Sequence, residues 1–136
     1  MASAKKGTVG IIGLGIMGGA FAQNLIAAGW RVIGYDVAAD RRRALAKAGA
    51  EIAEDAVDVA RKARVVLTSL PKPQALAQTA AAIAKAKLPR RVIVEMSTFT
   101  LEDKTRAEVT SRKAGHVILD CQGARKLGLR AAHASL

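Results

Sequence analysis

Apolar residues along the chain change period in a regular way. Thr8–Ile12 is a short, nearly continuous apolar run and reads as a buried strand. Beyond it, Met17, Phe21, Leu25 and Ala28 recur at helical spacing, which predicts a helix over Met17–Ala28 closed by Gly29. Arg31–Tyr35 reads as a second strand. Ala39–Ala48 reads as a helix ended by Gly49, a residue that tolerates the left-handed conformation of a helix stop. The alternation continues with a short strand at Glu51–Ile52, a helix over Asp55–Lys62, and a strand over Arg64–Leu70 stopped by Pro71. An Ala-rich helix over Gln74–Lys85, a strand at Arg91–Glu95, a helix over Leu101–Ala114 closed by Gly115 and a strand at His116–Leu119 complete it. Strands separated by helices imply parallel pairing, because each crossover must return over the sheet. Runs such as Val92-Ile93-Val94 suit a sheet covered on both faces. The predicted architecture is α/β, an open, doubly wound, mostly parallel sheet in a single domain, with ligand at the carboxyl ends of the strands.

Composition narrows the functional classes. The 136 residues hold 22 Lys+Arg against 11 Asp+Glu, a net charge of +11. The length fits one domain, and 51% hydrophobic residues argue against disorder as a description of the whole chain. Trp30, Tyr35, Phe21 and Phe99 are too few and too scattered to stack the bases of a single-stranded nucleic acid. The basic residues are spread, at Lys5–Lys6, Arg41–Arg43, Arg61–Arg64, Arg90–Arg91, Arg112–Lys113 and Arg125–Lys126. Spread charge solvates a surface or steers an anionic ligand, so no nucleic-acid partner is expected. The single Cys121 excludes an intramolecular disulfide framework, and with only His116 and His133, far apart, no metal site is expected. Gly7–Trp30 carries no charge and follows Lys5–Lys6, as a membrane span or signal peptide would. Its seven glycines, Gln23 and Asn24, and its change of period midway fit a strand, a glycine turn and a helix better. The expectation is a cytoplasmic protein without a membrane span.

One motif carries chemistry. Gly13-Leu14-Gly15-Ile16-Met17-Gly18 spells G-x-G-x-x-G between a predicted strand and a predicted helix, and Asp36 ends the next strand 21 residues after Gly15. A dinucleotide fingerprint places its acidic residue about 20 residues on. Gly13 permits the tight turn, Gly15 lets a pyrophosphate approach the backbone, and Gly18 lets the helix pack on the sheet. The N–H groups and dipole of the helix start favour an anion. Asp36 is then placed to accept hydrogen bonds from the adenosine ribose. The bland alternative is a glycine-rich turn beside a surface aspartate; an FAD-type site is a further alternative. A carboxylate beside the ribose repels a 2′-phosphate, which favours NAD over NADP. Arg41, Arg42 and Arg43 either solvate their helix or offer a cation to such a phosphate.

The run Val9-Gly10-Ile11-Ile12 into Gly13-Leu14-Gly15-Ile16-Met17-Gly18, then Asn24-Leu25, Gly29, Val32 and Tyr35-Asp36, resembles the β-hydroxyacid dehydrogenases. That family includes 3-hydroxyisobutyrate dehydrogenase and tartronate semialdehyde reductase, with 6-phosphogluconate dehydrogenase as a relative. The resemblance continues through Gly49-Ala50, Leu70-Pro71, Glu95-Met96-Ser97-Thr98 and Leu119-Asp120, so it covers residues 7–121. It implies a Rossmann-type NAD(P)-binding domain over residues 1–121. It further implies that the Leu14, Gly15, Ile16 and Met17 backbone holds the pyrophosphate, that Leu70 and Pro71 line the cofactor groove, and that Thr98 contacts the nicotinamide end with Ser97 beside it. On the residues alone, Leu70-Pro71 could merely end a strand, and Ser97 or Thr98 could merely cap the next helix. Relatives that prefer NADP tend to carry an arginine close after the second strand; Val37 stands there, which supports NAD.

The sequence also departs from the family. Phe99-Thr100-Leu101 replaces the proline that commonly follows the Ser-Thr pair, and Gln122-Gly123-Ala124-Arg125 replaces the substrate-binding run after Asp120-Cys121. Residues 122–136 match nothing in the family, as a truncated or frame-shifted end would, or a short helix laid on the domain; truncation is favoured. The family's largely helical second domain, with its catalytic lysine, has no counterpart here, and none of Lys104, Lys113 or Lys126 sits in the corresponding motif, so no catalytic residue is assigned. The expected function is the NAD-binding half of an enzyme that transfers hydride to or from a small 3-hydroxy acid, inactive by itself and prone to self-association. The alternative is a non-catalytic dinucleotide-binding sensor or subunit.

Overall fold

The computed structural model describes residues 6–121; the tail expected at 122–136 lies outside the described residues. Elements alternate as β1 (Thr8–Ile12), α1 (Ile16–Ala27), β2 (Arg31–Tyr35), α2 (Ala39–Lys47), β3 (Glu51–Ile52) and α3 (Ala56–Lys62). They continue as β4 (Val65–Thr68), α4 (Pro73–Lys85), β5 (Val92–Glu95), α5 (Leu101–Lys113) and β6 (Val117–Asp120). All strand pairs are parallel, in the order β3-β2-β1-β4-β5-β6. The expected doubly wound sheet is present. Its strand order reverses between β1 and β4, where such sheets bind ligands beyond the carboxyl ends of their strands.

Alternating side chains on the central strands feed two cores. Val9, Ile11 and Val32 pack with Leu14, Ala22 and Leu45 under α1 and α2. Ile12, Ile33 and Val66 pack with Val59, Ala60 and Ile83 under α3 and α4. A smaller cluster of Leu76, Ala80 and Ala107 joins α4 to α5. Burial on both faces is why these strands read as continuous apolar runs.

Several boundaries differ from expectation, each for a local reason. The strand predicted over Arg64–Leu70 is confined to Val65–Thr68: Ser69 N still donates to Ile12 O at 2.9 Å, but Leu70 N turns aside to Ser97 Oγ at 2.8 Å. The helix predicted from Gln74 begins at Pro73, whose missing N–H costs nothing in a first turn. Asp55 stands outside its helix as the cap, accepting from Asp58 N at 2.7 Å. The sixth strand begins at Val117, because His116 N donates to Ser111 O and closes the preceding turn. At that amino end of the sheet, buried His116 accepts from Arg91 N at Nδ1 (3.0 Å), while the Arg91 side chain donates to the carbonyl oxygens of Ala60 and Arg61. Burial, then the nearby Arg91 charge, hold the His116 pKa below its usual 6.5. Among the described residues no helix is long and apolar enough to cross a membrane.

Candidate functional site

The glycine turn leaves β1 at the reversal of strand order. Gly13 has φ +96°, and a Cβ built on it would lie 2.0 Å from Ser69 O, so the turn and the segment after β4 touch backbone to backbone. A Cβ on Gly18 would lie 2.0 Å from Gly13 O, which lets the first turn of α1 close on the glycine turn. Gly15 differs. It is the N-cap of α1 with no side-chain cap, and a Cβ there would meet only the end of the Arg41 side chain, 3.5 Å away. The helix therefore starts with N–H groups that no side chain satisfies, beside open space, an arrangement suited to an anion. Ile16 is 98% exposed and Met17 partly so; what they offer an anion is backbone. A groove of about 310 Å³ follows between α1 and α2, lined by Leu14, Gly15, Gly19, Gln23, Arg41 and Leu45 among others.

Asp36, just past β2, is turned toward this loop and only 7% exposed. Its Oδ2 accepts from Leu14 N at 2.7 Å and its Oδ1 from Ala38 N at 2.8 Å. The carboxylate thus ties the glycine turn to the end of β2 and keeps lone pairs for a further donor. Two arginines of the Arg41–Arg43 run gather around it. The Arg41 guanidinium stands 3.7 Å from Asp36 Oδ2. Arg42 donates to Asp36 O at 2.7 Å and Val37 O at 3.0 Å and lies over the Tyr35 ring. Sequence periodicity could not separate these from Arg43, which is exposed.

Across the crevice, Leu70 N donates to Ser97 Oγ, and Ser97 is buried while Pro71 and Thr98 are exposed. The cap of α5 is Thr100, which accepts from Asp103 N at 3.2 Å. Ser97 and Thr98 are therefore not caps, and Leu70 does more than end a strand. Three residues here escaped sequence reasoning. Glu95 and Thr68 are buried and hydrogen-bonded to each other, and Thr100 occupies the capping place. Two of them left a trace: Glu95 is a carboxylate closing the apolar run Val92-Ile93-Val94, and Thr100 opens a Thr-x-x-Asp pattern before a helix. Lys104, buried on α5, donates to Asp120 Oδ1 at 2.7 Å.

This arrangement can be set against known proteins. Residues 8–122 match the model of the NAD binding domain of 6-phosphogluconate dehydrogenase. The chain belongs to this family. The NAD-binding domain is 34% identical over 126 residues to a probable mitochondrial 3-hydroxyisobutyrate dehydrogenase of Dictyostelium discoideum, a match covering 89% of this chain and 39% of that protein. The solved structure of a Mycobacterium tuberculosis 3-hydroxyisobutyrate dehydrogenase with L-serine is similar at TM-score 0.79 and 27% identity, over 83% of this chain and 39% of that one. A Streptomyces aurantiacus imine reductase is similar at TM-score 0.76 and 28% identity, over 83% and 40%. The NAD-binding domain thus spans about 39% of the length of its relatives. Its residues fit a dinucleotide: Gly15 keeps clear a space that a larger side chain would enter, over a helix start that no side chain caps.

Proposed function

We propose that residues 1–121 form the cofactor half of a dehydrogenase that moves hydride between NAD and a small 3-hydroxy acid. The observation that carries this is the uncapped start of α1 at the reversal of strand order, with Asp36 bonded to Leu14 of the same turn. In this reading the backbone from Gly13 through Leu14, Gly15, Ile16 and Met17 to Gly18 holds the pyrophosphate. Asp36 accepts from the adenosine ribose with its remaining lone pairs, and Leu70, Pro71 and Thr98 border the nicotinamide half. Bound NAD supplies a ring that accepts or donates hydride; the chain holds and orients it. The kinship to 3-hydroxyisobutyrate dehydrogenases supports this substrate class. The exposed side chains of Ile16, Phe21, Leu101 and Leu119 support self-association. The cytoplasm is the proposed compartment, and the mitochondrial relative makes fractionation its check.

NAD is preferred to NADP in this reading because a 2′-phosphate beside Asp36 would meet its carboxylate. Arg41, 3.7 Å away and half exposed, offsets part of that charge and keeps the preference moderate. Calorimetric titration of residues 1–136 is expected to show NAD⁺ binding several-fold tighter than NADP⁺, with no turnover of 3-hydroxy acids. Tighter NADP⁺ binding would overturn the cofactor preference. Turnover at ordinary enzymatic rates would place a catalytic base within this chain.

A further inference from the structure

The most deeply buried polar group of the crevice lies away from the glycine turn. Glu95 ends β5 at 0% exposure. Its hydrogen bonds come from neutral donors: the Thr68 hydroxyl at the end of β4, and Ser97 N at 2.5 Å. A buried carboxyl group is costly unless its oxygens are well bonded, so its surroundings are built around it. Ser97 passes the constraint on. It is 5% exposed, and its hydroxyl oxygen accepts from Leu70 N at 2.8 Å. Four residues from two adjacent strands and the segments after them thus form one brace, running Thr68, Glu95, Ser97, Leu70.

The brace has a place in the dinucleotide groove. With a pyrophosphate on the start of α1 and the adenosine directed to Asp36 on the β2 side, the other nucleotide must cross the reversal of strand order toward the ends of β4 and β5. Leu70 and Thr98 stand there, each next to a member of the brace or part of it. The Ser97 hydroxyl oxygen faces inward and props Leu70, whereas Thr98 beside it is exposed to the groove.

We propose that Glu95 and Ser97 are positioning residues that set the nicotinamide-side wall of the groove, fixing Leu70 and Thr98 without touching the cofactor. This rests on the dinucleotide reading above. It makes the two halves of the ligand separable: loosening the brace weakens what holds the nicotinamide and leaves what holds the adenosine and pyrophosphate.

The test titrates the full chain with NAD⁺ and with ADP-ribose, which lacks nicotinamide. In Ser97→Ala and in Glu95→Gln, NAD⁺ affinity is expected to fall about fivefold, the worth of one hydrogen bond, while ADP-ribose affinity stays within about twofold, less than such a bond is worth. The double variant should lose no more than the worse single one, because both act through one brace. Retained ADP-ribose binding reports that the variant is folded, and Ser97→Ala, the milder change, decides the matter if Glu95→Gln does not fold. An unchanged NAD⁺ affinity, or equal losses for both ligands, overturns the proposal alone. An unmodified chain that binds neither ligand overturns the dinucleotide reading and this proposal with it.

Discussion

The two sides of the crevice are built by opposite means. On the β1–β2 side the working surface is backbone. Gly13, Gly15 and Gly18 keep space empty, and a Cβ on Gly13 or Gly18 would lie 2.0 Å from a carbonyl oxygen. On the β4–β5 side the surface is held by side chains, with Thr68, Glu95 and Ser97 all at 5% exposure or less and bonded in sequence. The first side is broken by adding atoms, the second by removing them. The difference follows from the groups each side must arrange. An anion is held by N–H groups that every residue carries, so the requirement is absence of obstruction; a wall between two strands needs specific cross-links.

The largest effect is expected from Gly15→Val. Its Cβ meets only a flexible arginine end, and its backbone is extended at ψ −161°, so the fold persists by circular dichroism while saturable NAD⁺ binding disappears from calorimetry. Normal binding by this variant would move the ligand off the glycine turn. Gly13→Ala should instead damage the fold itself. With φ +96° and backbone in the way, it should cost about 3 kcal/mol in urea denaturation; a loss below about 1 kcal/mol, the low end for such strain, would show that the two loops can part freely. Thr68→Val removes a hydroxyl at nearly constant shape and leaves one Glu95 oxygen buried without its donor. The expected cost is about 2 kcal/mol, and a neutral result would mean that Glu95 draws little from Thr68.

The smallest effect lies at the other end of the sheet and serves as the control for the comparison. His116 is buried, and its pKa is held below 6.5 by that burial and by the charge of Arg91. As pH falls through the unfolded value near 6.5, the unfolded chain takes up a proton before the folded one, so stability declines until the lower folded value is passed. Denaturation midpoints should fall between pH 7 and pH 5, and His116→Gln should flatten that part of the profile. NAD⁺ affinity of the folded protein at pH 7 should be the same in both, because the crevice is at the opposite ends of the strands.

Much of this protein was legible in its residues. The alternation of a five-residue apolar run with helical spacing is local, and so is the placing of a glycine at a helix stop; Gly29, Gly49 and Gly115 all take the positive φ expected there. The glycine turn and Asp36 were legible for the same reason, since a backbone device needs particular residues at fixed separations along one βαβ unit. The corrections fall where a local pattern lost to a distant partner. Leu70 belongs to the apolar run of β4 by sequence, yet its N–H goes to Ser97, 27 residues away. Arg41, Arg42 and Arg43 are alike as letters, and their different roles depend on which face of α2 points at Asp36.

By itself, then, the sequence determined the order and kind of the elements, their parallel pairing and the glycine turn, because each follows from short-range sterics and from the burial of apolar faces. Only the tertiary structure decided that the Asp36 carboxylate ties down Leu14, and that Glu95 reaches both Thr68 and Ser97. Those bonds join groups brought together by strand register and crossover, and a buried polar atom takes whichever partner the packing places within reach.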